Sequence, residues 1–265
     1  MDELREIEIG LANNSSHLSC GPVKQIIKSV LNSLGLDVRR QKFNPDHTLL
    51  GLRKLPIKTI IDVGANTGQF AKNISRLFPD AELICFEPLP VPFRELETWA
   101  RRKRRVHALN VAIGEAEMEM DMFYHVDHST SSSLLASTDL NQRLFPFIQQ
   151  QVKVPIRVTT LDTALNPLQV PIVPDILIKL DAQGYEDRIL KGGPTSFGHA
   201  AACIVEVSVE RLYKGQAGFK DLVVMLDGHG FEYVGNLSQS YAEDGHVIFF
   251  DALFIEQKHL DKLAT

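Results

Sequence analysis

The chain has little cysteine, no excess of positive charge and no long apolar run. Its three cysteines, Cys20, Cys85 and Cys203, are scattered and form no C-x-x-C pair. An odd, dispersed set speaks against a secreted disulfide framework and points to a reducing compartment. Lys and Arg total 28 against 33 Asp and Glu, a net charge of −5, which argues against binding dominated by nucleic-acid phosphates. No stretch approaches the roughly 18 apolar residues that a membrane span needs. The opening residues Met1 to Glu6 are charged and predict no secretory leader, so a cytoplasmic protein is expected. No internal repeat is visible, and the serine cluster around 129–133 is the sole low-complexity piece.

What is present fits a globular chain. Hydrophobic residues make up 44% and charged residues 23% of 265 positions. A chain of that length buries roughly 70–75% of its unfolded surface without a disulfide or metal staple. Residues 1–56 read as a helical extension. Pro22, Val23, Ile26, Ile27, Val30, Leu31 and Leu34 follow helical spacing, with Gly35 placed as a C-terminal glycine. This helix is expected to pack on the main domain. A second apolar patch, Leu49 to Leu55, ends at Pro56.

From Lys58 short apolar runs alternate with helical periods. Strands are predicted at 59–63, 82–86 and 106–113, with helices between them, the βαβαβ pattern of a parallel sheet covered on both faces. Gly114 breaks the rhythm. Alternation over Met118–Tyr124 and Val152–Leu161 predicts a β insertion, with a helix near Leu140–Phe147. Asp175–Leu180 and Ala202–Val207 resume the main sheet. A helix at 222–226 and an antiparallel pair at 231–235 and 247–255 close the chain.

Three segments carry chemistry. In Ile61-Asp62-Val63-Gly64-Ala65-Asn66-Thr67-Gly68 a strand runs into a glycine-bearing turn that opens a helix, which lets a ligand approach the backbone and meet free amides. The turn has two glycines, one short of the dinucleotide fingerprint G-x-G-x-x-G. Glu87, in Phe86-Glu87-Pro88 at the end of the second strand, has two acceptor oxygens suited to the two hydroxyls of a ribose. As a strand-end carboxylate outside the core, it is expected to be dispensable for folding. The third segment is Lys179-Leu180-Asp181-Ala182-Gln183-Gly184-Tyr185-Glu186. Lys179 and Asp181 point to one face of the strand. Asp181, at its carboxyl end, could accept a proton, orient an acceptor hydroxyl or meet an ammonium group. Glu186 opens the next helix, where an acid suits the dipole, and Glu206 ends the fifth strand facing the same crevice.

These segments, with Asn110-Val111-Ala112-Ile113-Gly114, Thr160-Leu161-Asp162 and Ile204-Val205-Glu206-Val207, resemble the FkbM family of class I S-adenosylmethionine-dependent methyltransferases over about residues 58–255. The resemblance implies a Rossmann-like α/β fold: a mostly parallel seven-strand sheet with an antiparallel last strand, joined here by the β insertion and the N-terminal helical extension. With the pattern change near Lys58, the chain is expected to divide into the extension, 1–56, and a methyltransferase domain, 57–265. The resemblance implies S-adenosyl-L-methionine as cofactor. Asp62, Gly64, Asn66 and Gly68 would surround its methionine part, Glu87 its ribose, and Asn110 and Val111 its adenine. Asp181 would serve either donor or acceptor, with Asp181 and Glu206 as catalytic candidates. The implied acceptor is a hydroxyl on a sugar, glycan precursor or polyketide-like small molecule. A nicotinamide-dependent oxidoreductase and a non-catalytic donor- or partner-binding domain are the competing readings. Oligomeric state stays open.

The remaining signals read as structure. Arg101 to Arg105 form a run of positive charge at a helix C-terminus, where cations are favourable. His125, Asp127 and His128 lie in one loop without a second ligand cluster, so no metal site is assigned. The serines at 129–133 are expected to form a flexible loop, with Ser132 or Ser133 as possible donor or acceptor contacts. Cys85 and Cys203 read as small core residues, and Trp99 as packing against the sheet.

Overall fold

The computed structural model describes residues 21–36, 44–166 and 173–263. The chain divides into two units, Met1–Phe43 and Asn44–Thr265. In the first, the expected helix runs over Gly21–Ser33, and Gly35 adopts φ +77° just past its end. Residues 1–20, Cys20 included, and 37–43 lie outside the described residues.

The second unit is built on a seven-stranded sheet. Its strands are β1 (Thr59–Val63), β2 (Glu82–Phe86), β3 (Val106–Leu109), β7 (Ile176–Leu180), β8 (Ala200–Ser208), β9 (Phe231–Tyr241) and β10 (Val247–Glu256). The order is β3-β2-β1-β7-β8-β10-β9. The first five strands are parallel, and β10 runs antiparallel to both β8 and β9. A smaller sheet holds β4 (Ala112–Gly114), β5 (Met118–His125) and β6 (Gln151–Thr160) in the order β4-β6-β5. It is the expected β insertion. Leu49–Lys54, counted with the extension in the sequence, is a 3-10 segment of this unit, with Leu52 and Leu55 buried.

The near-continuous apolar runs of β1, β7 and β8 suit strands covered on both faces. Side chains alternate between two apolar layers. Ile61, Val63, Ile84, Phe86, Ile178 and Leu180 face one layer, while Ile60, Leu83, Cys85, Leu177 and Ile204 face the other. Each such side chain contributes about 1.5–3 kcal/mol by leaving water. Cys85 and Cys203 are buried and free, as their apolar surroundings implied. Trp99 packs against the second layer.

One predicted strand is two. The stretch 106–113 breaks at Asn110, whose amide donates to the carbonyls of Glu87 and Pro88, both at 2.9 Å. This turns the chain off the large sheet, so Ala112–Gly114 pairs with β6 instead. Asp162, in Thr160-Leu161-Asp162, accepts from the amides of Thr195 and Ser196, both at 2.9 Å, and so caps the start of helix Pro194–Gly198. The basic run begins where helix Pro90–Ala100 ends. Arg101 pairs with Glu97 at 2.9 Å, and Arg101 to Arg105 are exposed.

Candidate active site

A cleft of about 240 Å³ opens at the carboxyl ends of β1, β2 and β7. This is where open α/β sheets bind ligands. Its floor is the turn after β1. Gly64 has φ +81°, and a β-carbon there would stand 1.9 Å from the Asp181 carbonyl oxygen. Only glycine lets the turns after β1 and β7 approach this closely. The amides of Gly64 and Ala65 both donate to the Phe86 carbonyl at 3.0 Å, tying the turn to β2.

Glu87 lines the cleft and is 4% exposed. One carboxylate oxygen accepts from the Asn66 amide and the other from the Leu89 amide, both at 2.8 Å. The residue is therefore a buried staple between two loops. The expectation that it is dispensable for folding is corrected by this geometry. Burial raises its pKa to about 7 despite those two amides. A carboxylate has about four acceptor sites, so one on each oxygen stays open for a ligand hydroxyl.

The second wall is the turn Asp181–Gly184. A single oxygen of Glu186 accepts from the amides of Ala182 (2.9 Å) and Gly184 (3.2 Å). Glu186 does open helix Glu186–Lys191, but its carboxylate reaches back to hold the turn. Burial lifts it to about 7 as well. Asp181 lines the cleft with both oxygens engaged. Lys179 Nζ donates to Oδ2 at 2.7 Å, and Gln183 Nε2 to Oδ1 at 2.9 Å.

The roof is the serine turn, a 3-10 segment over Ser129–Ser131. Its hydrogen bonds are inconsistent with a free loop. Asn66 Nδ2 donates to Ser129 Oγ at 2.9 Å, Tyr213 donates to the Ser131 carbonyl at 3.0 Å, and Ser133 Oγ donates to the Gln183 carbonyl at 2.7 Å. Ser129, Thr130 and Ser132 line the cleft, whereas Ser133 is buried behind it. His128 is spent on the same turn, its Nδ1 lying 2.9 Å from both Ser131 Oγ and Thr130 Oγ1. Among the described residues no group of three or more His, Cys, Asp or Glu is placed to hold a metal ion. The far wall is apolar, formed by Pro88, Leu89, Val111, Met122 and Leu134.

The site residues read from the sequence divide in two. Gly64, Asn66, Glu87, Val111 and Asp181 line the cleft. Asp62, Gly68, Asn110 and Glu206 stand behind its walls. Gly68, at φ +88°, packs the start of helix Gln69–Leu77 against Leu96 and Trp99. Asn110 shapes the backbone around Glu87. Asp62 is fully buried with no side-chain partner on either oxygen, and burial raises its pKa to about 6 against the pull of Lys179 and the nearby Ala71 amide. Glu206 reaches the site only through Gln183 Nε2, at 2.5 Å.

Sequence reasoning singled out no role for Lys179. It is buried opposite Asp62 in the β1–β7 register and lines the cleft. Burial pulls its ammonium down, but Asp181, Asp62 and Asp251 outweigh that and hold it above the usual lysine value. Glu206 and Asp251 are direct partners across β8 and β10. One sheet face therefore carries a row of charge near the strand ends. The signal was a lone charged residue inside each apolar run: Asp62 in TIIDV, Lys179 in ILIKL and Glu206 in AAACIVEVS.

An open, mostly parallel sheet with this crevice and glycine turn is a Rossmann-like α/β fold. The model of the FkbM methyltransferase domain matches residues 62–233, well over half of the chain. The chain belongs to the FkbM methyltransferase family, and S-adenosylmethionine is its methyl donor. That membership overturns the nicotinamide oxidoreductase reading, which the missing third glycine already disfavoured. The chain is 25% identical over 201 residues to the 2-O-methyltransferase NoeI of Sinorhizobium fredii, covering 74% of this chain and 81% of that protein. It is 25% identical over 213 residues to the 31-O-demethyl-FK506 methyltransferase FkbM of Streptomyces tacrolimicus, covering 72% and 79%. Among solved structures, the N-methyltransferase NodS from Bradyrhizobium japonicum WM9 aligns with a TM-score of 0.43 at 12% identity, over 90% of this chain and 99% of that one.

The residues fit the donor. Glu87 keeps acceptor capacity toward the cleft, the far wall is apolar enough for a purine, and Asp62, buried beneath the glycine turn, favours a cation above it.

Proposed function

We propose that this enzyme transfers a methyl group to a hydroxyl oxygen of a sugar, glycan precursor or polyketide-like small molecule. The observation that carries the reading is Asp181. Its carboxylate stands in the cleft wall, held from both sides, with acceptor capacity left after Lys179 and Gln183 are counted. Oxygen-directed transfer is also what the printed names of the two relatives describe.

The donor, when bound, supplies an electrophilic methyl on a sulfonium. The chain's own residues do the rest. Glu87 receives the ribose hydroxyls, Gly64 leaves room for the methionine part with Asn66 beside it, and Val111 borders the adenine. Asp62 and Gly68 support that floor from behind, and Asn110 fixes the loop that carries Glu87. Asp181 orients the acceptor hydroxyl and takes its proton. A hydroxyl is a poor nucleophile near neutrality, and a positioned base typically contributes 10²–10⁴-fold. Glu206 acts behind Asp181, through Gln183.

Two measurements test this. Labelled S-adenosylmethionine incubated with a panel of hydroxylated sugars and macrolide-type alcohols should yield an O-methyl product by mass spectrometry. Release of S-adenosylhomocysteine with that product separates an enzyme from a domain that only binds donor or partner. With that acceptor, Asp181→Asn should lower turnover by roughly 10²-fold while leaving donor affinity within about 1 kcal/mol. Turnover close to wild type in Asp181→Asn would remove the base from the mechanism. A donor affinity that collapses with turnover would reassign Asp181 to the donor.

A further inference from the structure

Beside Asp181, in the wall of the same cleft, stands the side chain of Gln183. Gln183 has φ +53°, a left-handed backbone that a glutamine adopts only under strain. Its amide group is fully committed. Nε2 donates to Asp181 Oδ1 (2.9 Å) and to Glu206 Oε1 (2.5 Å), while Oε1 accepts from the Tyr213 hydroxyl (2.7 Å). Carboxylate oxygens accept, so the amide nitrogen must face the two acids and the amide oxygen must face the phenol. Tyr213 is 2% exposed, and its single hydroxyl proton is shared between Gln183 Oε1 and the Ser131 carbonyl of the roof, 3.0 Å away. The Gln183 carbonyl accepts from Ser133.

We propose that Gln183 is the positioning residue of this site: a neutral clamp that keeps the Asp181 and Glu206 carboxyls apart, fixes the aim of Asp181 into the cleft, and ties that aim to the serine turn through Tyr213. The inference rests on Asp181 being the working carboxylate of the proposed reaction.

Electrostatics explain why the clamp is neutral. From β7 itself, Lys179 faces Asp181. Asp62 approaches from β1, Glu206 from β8 and Glu186 from the following helix, while Glu87 and Asp251 act from farther off. A single ammonium thus serves a crowd of acids. Burial, with Asp181 and Asp251 next, already drives Glu206 far above the ordinary carboxyl range. A second cation in place of Gln183 would compete with Lys179 for Asp181, and a further acid would add to the repulsion. An amide supplies two donors without charge.

The test reads the protein directly and needs no acceptor. Carboxyl-carbon NMR titration of the full chain, labelled at aspartate and glutamate, follows the Asp181 signal, identified by its loss in Asp181→Asn. Gln183→Glu keeps the volume and adds a like charge beside Asp181, so its midpoint should rise by about one pH unit or more. Gln183→Leu removes the donor to the ionised form and should move it in the same direction. Tyr213→Phe frees one end of the amide and should move it less. Circular dichroism and S-adenosylmethionine affinity check that each variant keeps its fold and donor site. Should Gln183→Glu fail to fold, Gln183→Leu and Tyr213→Phe carry the test. An Asp181 midpoint unmoved in every folded Gln183 variant would overturn the clamp. The two claims fail separately: if Asp181→Asn keeps turnover while the Gln183 variants shift the midpoint, the base assignment falls and the clamp stands.

Discussion

Glu87 and Glu186 do the same structural work at neighbouring turns, but only Glu87 also faces the cleft. Each is a buried carboxylate that accepts two backbone amides, and burial lifts each to about 7. Glu87 gives one oxygen to each amide and lines the cavity. Glu186 gives one oxygen to both amides and stands behind the wall. Turn-holding and ligand-binding are thus superimposed in one residue and isolated in the other, so the pair separates two effects that one mutant would confound.

The largest expected effect lies where the two turns meet. Gly64→Val places a β-carbon against the Asp181 carbonyl, 1.9 Å away, and forces a valine to φ +81°. Overpacking and a left-handed β-branched residue together should cost about 3 kcal/mol or more and abolish donor binding. Thermal unfolding and donor titration read both. A Gly64→Val protein that unfolds and binds like wild type would show that the two turns do not need their close approach.

A smaller effect isolates the staple. Glu186→Ala leaves the amides of Ala182 and Gly184 without their acceptor, which should cost about 1–3 kcal/mol of stability. Donor affinity should stay within about 1 kcal/mol, because Glu186 does not touch the cleft. Affinity falling more than stability would break the contrast with Glu87.

The smallest effect is graded. Asp62, with an ordinary value of 3.8, is raised to about 6, and Glu87 and Glu186 from 4.5 to about 7, in each case mainly by burial. Each acid therefore holds its proton more tightly folded than unfolded. The folded chain carries the extra protons between those values, and stability falls as pH rises through that window, levelling above about 7. In urea unfolding followed across it, Glu87→Gln should flatten the slope by up to about 1.4 kcal/mol per pH unit. An unchanged slope would mean that Glu87 titrates alike in both states.

Much of this was legible in the sequence, for identifiable reasons. Apolar runs bounded by polar, glycine or proline residues gave β1 and β2 at their observed limits, since strands buried on both faces leave no ambiguity of period. The β insertion showed in the alternation of Met118–Tyr124. The break at Asn110 did not, because it depends on a side chain bonding to carbonyls more than twenty residues earlier. Glycine and acid motifs located the cleft, yet they could not separate lining residues from supports. Asp62 and Glu87 read alike in a string, although one lies beneath the turn and the other in the wall. The charged row through Lys179 and the clamp at Gln183 emerge only when β1, β7, β8 and β10 are set side by side. The serine cluster looked flexible because polarity says nothing about partners as distant as Asn66 and Tyr213.

The central claim is that Glu87 both builds this cleft and holds the donor ribose in it. Calorimetric titration of S-adenosylmethionine into wild type, Glu186→Ala and Glu87→Ala, each shown to be folded at the temperature used, tests it most directly. Wild type and Glu186→Ala should bind alike, and Glu87→Ala should bind more weakly by about 1.5–3 kcal/mol, the usual scale for hydrogen bonds to a charged group. A folded Glu87→Ala that binds the donor as tightly as wild type would contradict the account.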